Sequence, residues 1–490
     1  MQIPEKPMKS FYARHSLLVI LAAAFVLRAT AAFYNYTPTA EDDYANIIEP
    51  ALRHYQTGEA IATELYRLPA LPKVFFAFLL PLKAAGVTDT TLLVSWGLFC
   101  LGLISLAGVW AFYQLVRQAV PGWEKTAGWL YAGHFLLPFY STRAFQESLT
   151  LTTVPLALYF LYDPGRSVQR LFFAGLFLGL TVILRFQAAI LAVTVFLYLA
   201  YELLRRQTSA RQLMAFTSGG LIALALLVML DIAEGRAALS TPFEYIRINF
   251  MGNVVSQSYG AAPWHTYLTL LTVVFIPPFS FFLLVPFLRA MRSDLLSAIC
   301  LIVFLILHST IGNKLERFML PILPFFFLLT LRGLSRPGNS RWVNRAWRGF
   351  VILNLLVLLP ITLSRSQLNI IDAAQHLAGS PRPLLLYRID LWKHAYMTFA
   401  KPVPVNYEDA AALSAGLKSA AVAEVDLLSL GKIPAEAERA INNAGYHCRL
   451  ERTFEPSWQE KIVIYLNPRF NARRDTSVLY RCVRQSSVPR

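Results

Sequence analysis

Two cations and an acid stand directly before a long apolar run. Lys314, Glu316 and Arg317 precede FMLPILPFFFLL, and a helix through this stretch would place Lys314 and Arg317 on one face. Such a pair suits a phosphate group, because Arg offers a planar fork of donors and Lys a point charge. The alternative is a pair of interfacial anchors whose long side chains snorkel out of a bilayer. The stretch alone supports both interpretations equally.

A second candidate is the acidic segment YTPTAEDDYANIIEPALRHYQTG, residues 36–58. If a helix begins at Asp42, then Asp42, Asn46 and Glu49 fall on one face, with Asp43 beside them. An acidic face of this kind can take up or hold a proton. The simpler interpretation is a helix start, in which Thr39 caps the helix and acids in its first turn oppose the helix dipole.

Charged residues also occur inside or beside other apolar runs. Arg185, in LTVILRFQAAILAV, has no acidic neighbour in sequence, so its anion must come from a distant residue such as Glu147 or from a ligand. The remaining candidates are polar residues next to predicted membrane segments: Arg67, Arg143, Glu147 and His265. Taken singly, Arg143, Glu147 and Arg185 fit a structural ion pair better than a functional role, and His265 fits a structural role better than a catalytic one.

The composition of the chain indicates which kind of fold holds these candidate residues. The chain has 490 residues, of which 56% are hydrophobic, and 34 are Phe, so it exposes more apolar surface than a water-soluble domain can bury. Apolar runs of roughly 17 to 25 residues predict an all-α polytopic membrane protein with ten to twelve transmembrane helices. Whether the first run is retained or is a cleaved signal peptide stays open.

The charge pattern orients the chain. The net charge of +16 gathers in short loops such as LRAMRSD and LRGLSRPGNSRW, which is typical of cytoplasmic loops rather than of nucleic-acid binding. Residues 313–317, Arg185 and 263–265 then face outward, as does a first outer loop over residues 35–68. We therefore expect the candidate residues to meet at the outer membrane face.

Residues 364–490 are of mixed polarity and predict a small α/β domain on the same outer side, after a membrane domain over residues 1–363. Strands are predicted at PLLLYRI, AAVAEVDLLSL, KIVIYL and SVLYRCV, with a helix around AEAERAINNAG between them. Cys448 and Cys482 are either a disulfide or two buried thiols. No cysteine or histidine spacing typical of a metal site occurs.

Four segments in order resemble the family 22 glycosyltransferases, which are membrane enzymes of the GT-C type. GNKLERFMLPILP resembles that family's HKEERFLLPILP signature, and EDDYANIIE its DE-x-(F/Y)-Q-x-x-E segment. STRAFQESLTLTTVPLALY resembles the SRTFSNSLE-type segment, and INFMGNVVSQSYGAAPWHTYL the segment that ends in YG-x-x-PWHWYL. Asn313 and Leu315 depart from the signature, which has His and Glu there.

The resemblance implies a GT-C helical bundle that moves a sugar, most simply mannose, from a polyprenyl-phosphate donor to a glycan or glycolipid acceptor. It assigns Asp42, or else Asp43, as the general base, because the attacking hydroxyl must lose a proton. The positive charges expected to stabilise the leaving phosphate are Lys314 and Arg317 first, then Arg67, Arg143, Arg185 and His265. The expected supporting residues are Asn46, Glu49, Glu147, Asn313 and Glu316.

The same resemblance implies inversion at the anomeric carbon. It requires no cofactor, although a divalent cation at the acidic pair is allowed. The active face is then periplasmic in a bacterial inner membrane, or lumenal in the endoplasmic reticulum. Three alternatives stay open: a GT-C enzyme that uses another lipid-linked sugar, a transporter or flippase of a lipid-linked substrate, and an inactive scaffold of the same fold.

Overall fold

The computed structural model describes residues 7–37, 44–68, 70–251, 261–389, 404–420, 422–466 and 475–485. Its α-helices are, in chain order, α1 (Pro7–Tyr34), α2 (Glu49–Thr57), α3 (Ala70–Ala84), α4 (Thr90–Ala119), α5 (Glu124–Gly133), α6 (Leu137–Ser141), α7 (Gln146–Leu161), α8 (Val168–Leu184), α9 (Ala189–Leu204), α10 (Ala210–Ala233), α11 (Ser240–Ile246), α12 (Thr266–Val274), α13 (Phe279–Met291), α14 (Leu295–Ser309), α15 (Leu323–Leu334), α16 (Arg341–Thr362), α17 (Leu368–Ala378), α18 (Ala410–Ala420), α19 (Ala435–Asn443) and α20 (Trp458–Leu466). The strands are β1 (Leu384–Tyr387), β2 (Val405–Tyr407), β3 (Glu424–Leu430), β4 (Tyr446–Phe454) and β5 (Ser477–Arg484).

Contacts divide the chain into two compact units. The first contains the chain up to Phe33, Ala62–Phe78 and Trp96–Thr362, and the second contains Tyr34–Ile61, Leu79–Ser95 and the chain from Leu363 onward. The first outer loop is therefore divided: its residues up to Ile61 group with the C-terminal segment, and those from Ala62 onward group with the bundle. The domain boundary after residue 363 stays a prediction.

The first unit is a helical bundle with membrane-spanning segments, which confirms the all-α polytopic fold class. Within the described residues six helices are long and apolar enough to cross a bilayer, and α12 and α13 form a further candidate bent by 100°. Pro277 and Pro278 stand at that bend, where proline cannot continue a helix. The predicted count of ten to twelve crossings stays a prediction.

Two neighbouring helix pairs of this bundle are in close contact. α7 and α8 form a hairpin whose middle is fastened by a hydrogen bond between the Thr153 and Thr181 hydroxyls (2.7 Å). α8 also lies directly against α10: a Cβ on Gly175 would come within 1.9 Å of the Phe216 carbonyl oxygen, and one on Gly219 within 2.1 Å of the Phe172 carbonyl oxygen. These two helices therefore pack backbone to backbone, as small residues allow in membranes.

The C-terminal part of the second unit is a five-stranded sheet of order β2-β1-β3-β5-β4, which confirms the small α/β domain. β1 pairs in parallel with β2 and β3, while β5 runs antiparallel to β3 and β4. α17 covers one face through Ile370, Ile371 and Leu377. α18 and α19 cover the other face of the sheet, and their residues Leu413, Leu417 and Ile441 are part of the hydrophobic core on that side.

One strand prediction in this domain is wrong. KIVIYL belongs to α20, because a short apolar run fits a helix as well as a strand. β4, which the sequence did not suggest, pairs with β5 in its place, and Cys448 stands directly opposite Cys482. The two cysteines form a disulfide. Of the two alternatives for this pair, the structure therefore shows the cross-link.

Candidate active site

The centre of the candidate site is the buried carboxylate of Glu147. Arg185 Nη1 lies 3.1 Å from Glu147 Oε1, and Arg317 Nε lies 3.7 Å from the same oxygen. All three side chains are at least nine-tenths buried. The expectation that Arg185 must find a distant anion, with Glu147 as a candidate, is confirmed. One carboxylate oxygen is thus shared by two guanidinium groups that are 132 residues apart in the chain.

Helix ends bring these residues together. Glu147 lies in the first turn of α7, where an acid is favoured by the helix dipole. Arg185 is the residue at which α8 ends, in an extended conformation that turns it out of the helix. Arg317 is the second residue of a 3-10 helix, Glu316–Ile322, which continues into α15. The antiparallel course of α7 and α8 places the start of the one beside the end of the other.

Arg143 and Glu316 extend the charged cluster. Arg143 is only 1% exposed, and its guanidinium lies over the Phe139 ring, 4.4 Å from the centroid. Glu316 Oε1 accepts a hydrogen bond from the Tyr140 hydroxyl at 3.3 Å. The charges of Glu316, Arg317 and Arg143 all act on that hydroxyl.

Aromatic faces enclose the guanidinium groups. Arg185 lies 4.2 Å from the centroid of the Phe318 ring, and Arg317 lies 4.7 Å from that of Phe145. A desolvated guanidinium gains from such a contact, because the ring face carries negative charge density. Phe145 and Phe318 were not predicted as site residues, although each stands next to one in the segments RAFQE and ERF. That adjacency was the available signal.

Lys314 occupies a different position from the predicted one. The 3-10 helix begins at Glu316, so the prediction that Lys314 shares a helix face with Arg317 is wrong. The Lys314 ammonium donates instead to the backbone carbonyls of Ala262, at 3.1 Å, and Ile311. Partial burial lowers the pKa of Lys314. Lys314 therefore ties two loops together, with Asn313 lying in the same loop between α14 and the 3-10 helix.

Arg67 and His265 lie in loops of the same unit. Arg67 Nε is 3.8 Å from Glu64, and its guanidinium lies 5.0 Å from the Tyr66 ring centroid. Burial, with a hydrogen bond to Glu64, raises the pKa of Tyr66 to about 12. His265 is exposed at the start of α12, with its ring edge-on to Trp264. Neither residue makes a described ion pair with Glu147.

The acidic segment belongs to the second unit. Asp42 and Asp43 lie outside the described residues. Tyr44–Ile48, which includes Asn46, form a π-helix rather than the expected α-helix, and α2 begins at Glu49. Glu49 is buried and accepts a hydrogen bond from Arg53 at 2.7 Å. The predicted single α-helical face from residue 42 is therefore interrupted.

The buried arginines of the first unit suit an anion. Within the described part of the chain, His, Cys, Asp and Glu residues form no group of three or more that could hold a metal ion. Buried guanidinium groups supply planar donors that match phosphate oxygens. Tyr245 and Tyr267, which the sequence did not single out, are also buried beside Arg185, whose charge acts on both hydroxyls. Their only sequence signal was a place within the matched INFMG…PWHTYL region or just before it.

Comparison with solved structures identifies the fold. The fold is similar to ArnT from Cupriavidus metallidurans, crystallised bound to undecaprenyl phosphate, with a TM-score of 0.58 and 12% identity over 95% of this chain and 98% of that one. The bundle with its C-terminal sheet domain is therefore a GT-C fold.

The family follows from the sequence match. Residues 18–377 match the Alg9-like mannosyltransferase family, and the chain belongs to that family. A mouse relative, GPI alpha-1,2-mannosyltransferase 3, is 25% identical over 387 residues, covering 77% of this chain and 69% of its own length. GPI mannosyltransferase 3 of Saccharomyces cerevisiae is 30% identical over a shorter stretch, 20% of this chain and 18% of its own length. The resemblance found in the sequence motifs is confirmed, and the transporter alternative is set aside.

Proposed function

We propose that this enzyme transfers mannose from a polyprenyl-phosphate donor to a glycan or glycolipid acceptor, with inversion. The observation that carries the proposal is the cluster of buried arginines that converges on Glu147. Buried cations are costly unless an anion joins them, and a lipid phosphate is an anion that a membrane enzyme can admit from the bilayer. ArnT, which shares the fold, was crystallised with such a lipid phosphate.

The arginine cluster stabilises the departing phosphate. As the bond between the anomeric carbon and the phosphate oxygen breaks, its electron pair stays with the phosphate, and negative charge grows there. Arg185 and Arg317 supply fixed donors for that charge, and Arg143 supplies a third positive charge. Lys314 shapes the adjoining loops and, with Arg67 and His265, contributes at longer range.

The acidic loop supplies the base in this proposal. The acceptor hydroxyl attacks the anomeric carbon on the face opposite the phosphate, and its proton passes to Asp42, with Asp43 as the second candidate. A single displacement converts a β-linked donor into an α-linked product. The word alpha in the names of two relatives supports that outcome. Asn46 and Glu49 support the loop that carries the base.

The active face is proposed to be non-cytosolic. The basic loops place the opposite end of the bundle in the cytoplasm, and the disulfide between Cys448 and Cys482 suits an oxidising compartment. The periplasmic side of a bacterial inner membrane is favoured, with the lumen of the endoplasmic reticulum as the alternative.

The test uses purified enzyme with polyprenyl-phosphate mannose and a mixed glycan acceptor. We expect Asp42→Asn to reduce transfer by at least about 10²-fold, because a general base contributes at least that much. Asp89→Asn is the matched control, since the Asp89 carboxylate only caps α4 through the Leu92 backbone N–H. Full activity in both Asp42→Asn and Asp43→Asn would remove the acidic-loop mechanism. Transfer from a different polyprenyl-phosphate sugar alone would replace mannose as the substrate.

A further inference from the structure

Three buried polar groups beside the arginine cluster lack a full set of hydrogen-bond partners among the residues that the structure describes. They are the hydroxyls of Tyr245 and Tyr267 and the Nε of Arg185. The Tyr267 hydroxyl faces the Leu315 backbone N–H, which leaves its own hydrogen without an acceptor among those residues. The three side chains are at least nine-tenths buried, with Tyr267 fully so. Buried polar atoms are almost always paired in folded proteins, so three in one place call for an explanation.

These atoms are neighbours. The Tyr245 ring packs against Phe186, the residue that follows Arg185, with 5.1 Å between centroids. The Tyr267 ring lies 6.1 Å from that of His308. The charge of Arg185 acts on both tyrosine hydroxyls and on His308, and the two tyrosines act on each other. The three groups therefore lie in one region around Arg185.

The chemistry of the cluster differs from that of the phosphate site. A phosphate diester oxygen only accepts hydrogen bonds, and the guanidinium groups already meet that need. A tyrosine hydroxyl both donates and accepts, which matches a sugar hydroxyl. The aromatic rings around it give the apolar wall that a ligand site combines with a few placed polar groups.

We propose that Tyr245 and Tyr267, with Arg185 Nε, bind hydroxyl groups of the transferred hexose. This inference rests on the proposed function, because the sugar must be attached to the phosphate that Arg185 and Arg317 hold. It makes the two tyrosines determinants of sugar specificity. A site built to pair with a substrate hydroxyl rejects an analogue without it, since its own polar groups are then left unpaired.

The experiment is a set of double-mutant cycles between the enzyme and its donor. The kcat/KM of wild type, Tyr245→Phe and Tyr267→Phe is measured with polyprenyl-phosphate mannose and with its 2-, 3-, 4- and 6-deoxy analogues. We expect each variant to lose about tenfold with mannose, the size of one good hydrogen bond. For one deoxy analogue per tyrosine, that loss should vanish, because the partner hydroxyl is already missing.

Tyr162→Phe is the matched control. Tyr162 is also a buried tyrosine, but its hydroxyl donates to Asp294 at 2.6 Å at the other end of α7, so its loss should leave the preference among donors unchanged. Melting temperatures of all variants separate misfolding from altered recognition. Equal losses with all donors in both tyrosine variants would overturn the inference and assign the two hydroxyls to bound water. Absence of any transfer by wild type would instead overturn the proposed function itself.

Discussion

The two ends of the α7–α8 hairpin carry similar charged residues in opposite arrangements. At the end with Glu147, the arginines are buried: Arg143 is 1% exposed, Arg317 7% and Arg185 8%. At the other end, the arginines are partly exposed, and each has a carboxylate of its own. Those pairs are Arg166 with Glu202, Arg170 with Asp163, and Arg332 with Asp294.

This difference separates structural from functional charge. At the second end, the acids Glu202 and Asp294 are buried, and the long arginine side chains reach them from the surface while keeping part of the guanidinium in water. At the first end, the cations are withdrawn from water and two of them share one oxygen. Partly exposed ion pairs hold helices together, whereas buried arginines that converge on one carboxylate oxygen are suited to an anion. We therefore expect the first end, and not the second, to bind an anion from outside.

The largest effect is expected from removing the buried arginines at the first end. Arg185→Gln and Arg317→Gln should each reduce mannose transfer by about 10²- to 10³-fold, since each removes a fixed charge from the leaving phosphate. Arg170→Gln is the control at the other end, and it should keep transfer within about threefold. The measurement is the initial rate with polyprenyl-phosphate mannose. Similar losses in all three variants would mean that the two ends do not differ in function.

The second prediction compares two buried acids through stability. Glu147→Gln leaves Arg185 and Arg317 without their shared carboxylate and should lower the free energy of unfolding by about 3 kcal/mol, the cost of breaking a buried pair. Asp294→Asn should also destabilise, because Asp294 pairs with Arg332 at 2.9 Å.

Polyprenyl phosphate distinguishes the two variants. The added lipid should restore the melting temperature of Glu147→Gln more than that of Asp294→Asn, because only the first variant has an anion site to fill. The check is a thermal unfolding series in detergent with increasing lipid phosphate. Equal recovery in both variants would contradict an anion site at the first end.

The smallest effect is expected from metal removal. Because arginines supply the positive charge, a chelator such as EDTA should leave the transfer rate within about twofold of its starting value. Readdition of Mg²⁺ or Mn²⁺ should not raise it. If EDTA strongly reduced the transfer rate and Mn²⁺ restored it, a metal would instead be assigned to the acidic loop. The arginine cluster would then not be the main source of positive charge.

Much of the fold and part of the site were predictable. Apolar runs specify membrane helices because the bilayer leaves few other structures. Arg185 led to Glu147 because a charge among apolar residues needs an anion, wherever in the chain that anion lies. The family motifs brought Arg143 and Arg317 to the same list.

Other features depended on details that the sequence pattern does not carry. Because the 3-10 helix begins at Glu316, Lys314 lies outside it and does not share a helix face with Arg317. The sequence did not predict this start, since helix boundaries are poorly specified by sequence. Tyr245 and Tyr267 gave no distinct signal, because tyrosines are common near membrane surfaces. The role inferred for the two tyrosines depends on their burial and on the hydrogen bonding of their hydroxyls, which only the coordinates reveal.

The contact between α8 and α10 limits how the bundle can open. With Gly175 against the Phe216 carbonyl and Gly219 against that of Phe172, no space remains for one helix to slide over the other. We therefore expect the two helices to move together as one unit, with Arg185 at the end of α8 moving with them. The hydrocarbon tail of a lipid donor must therefore enter between other helices of the bundle. A bulkier residue at Gly175 would push α8 and α10 apart.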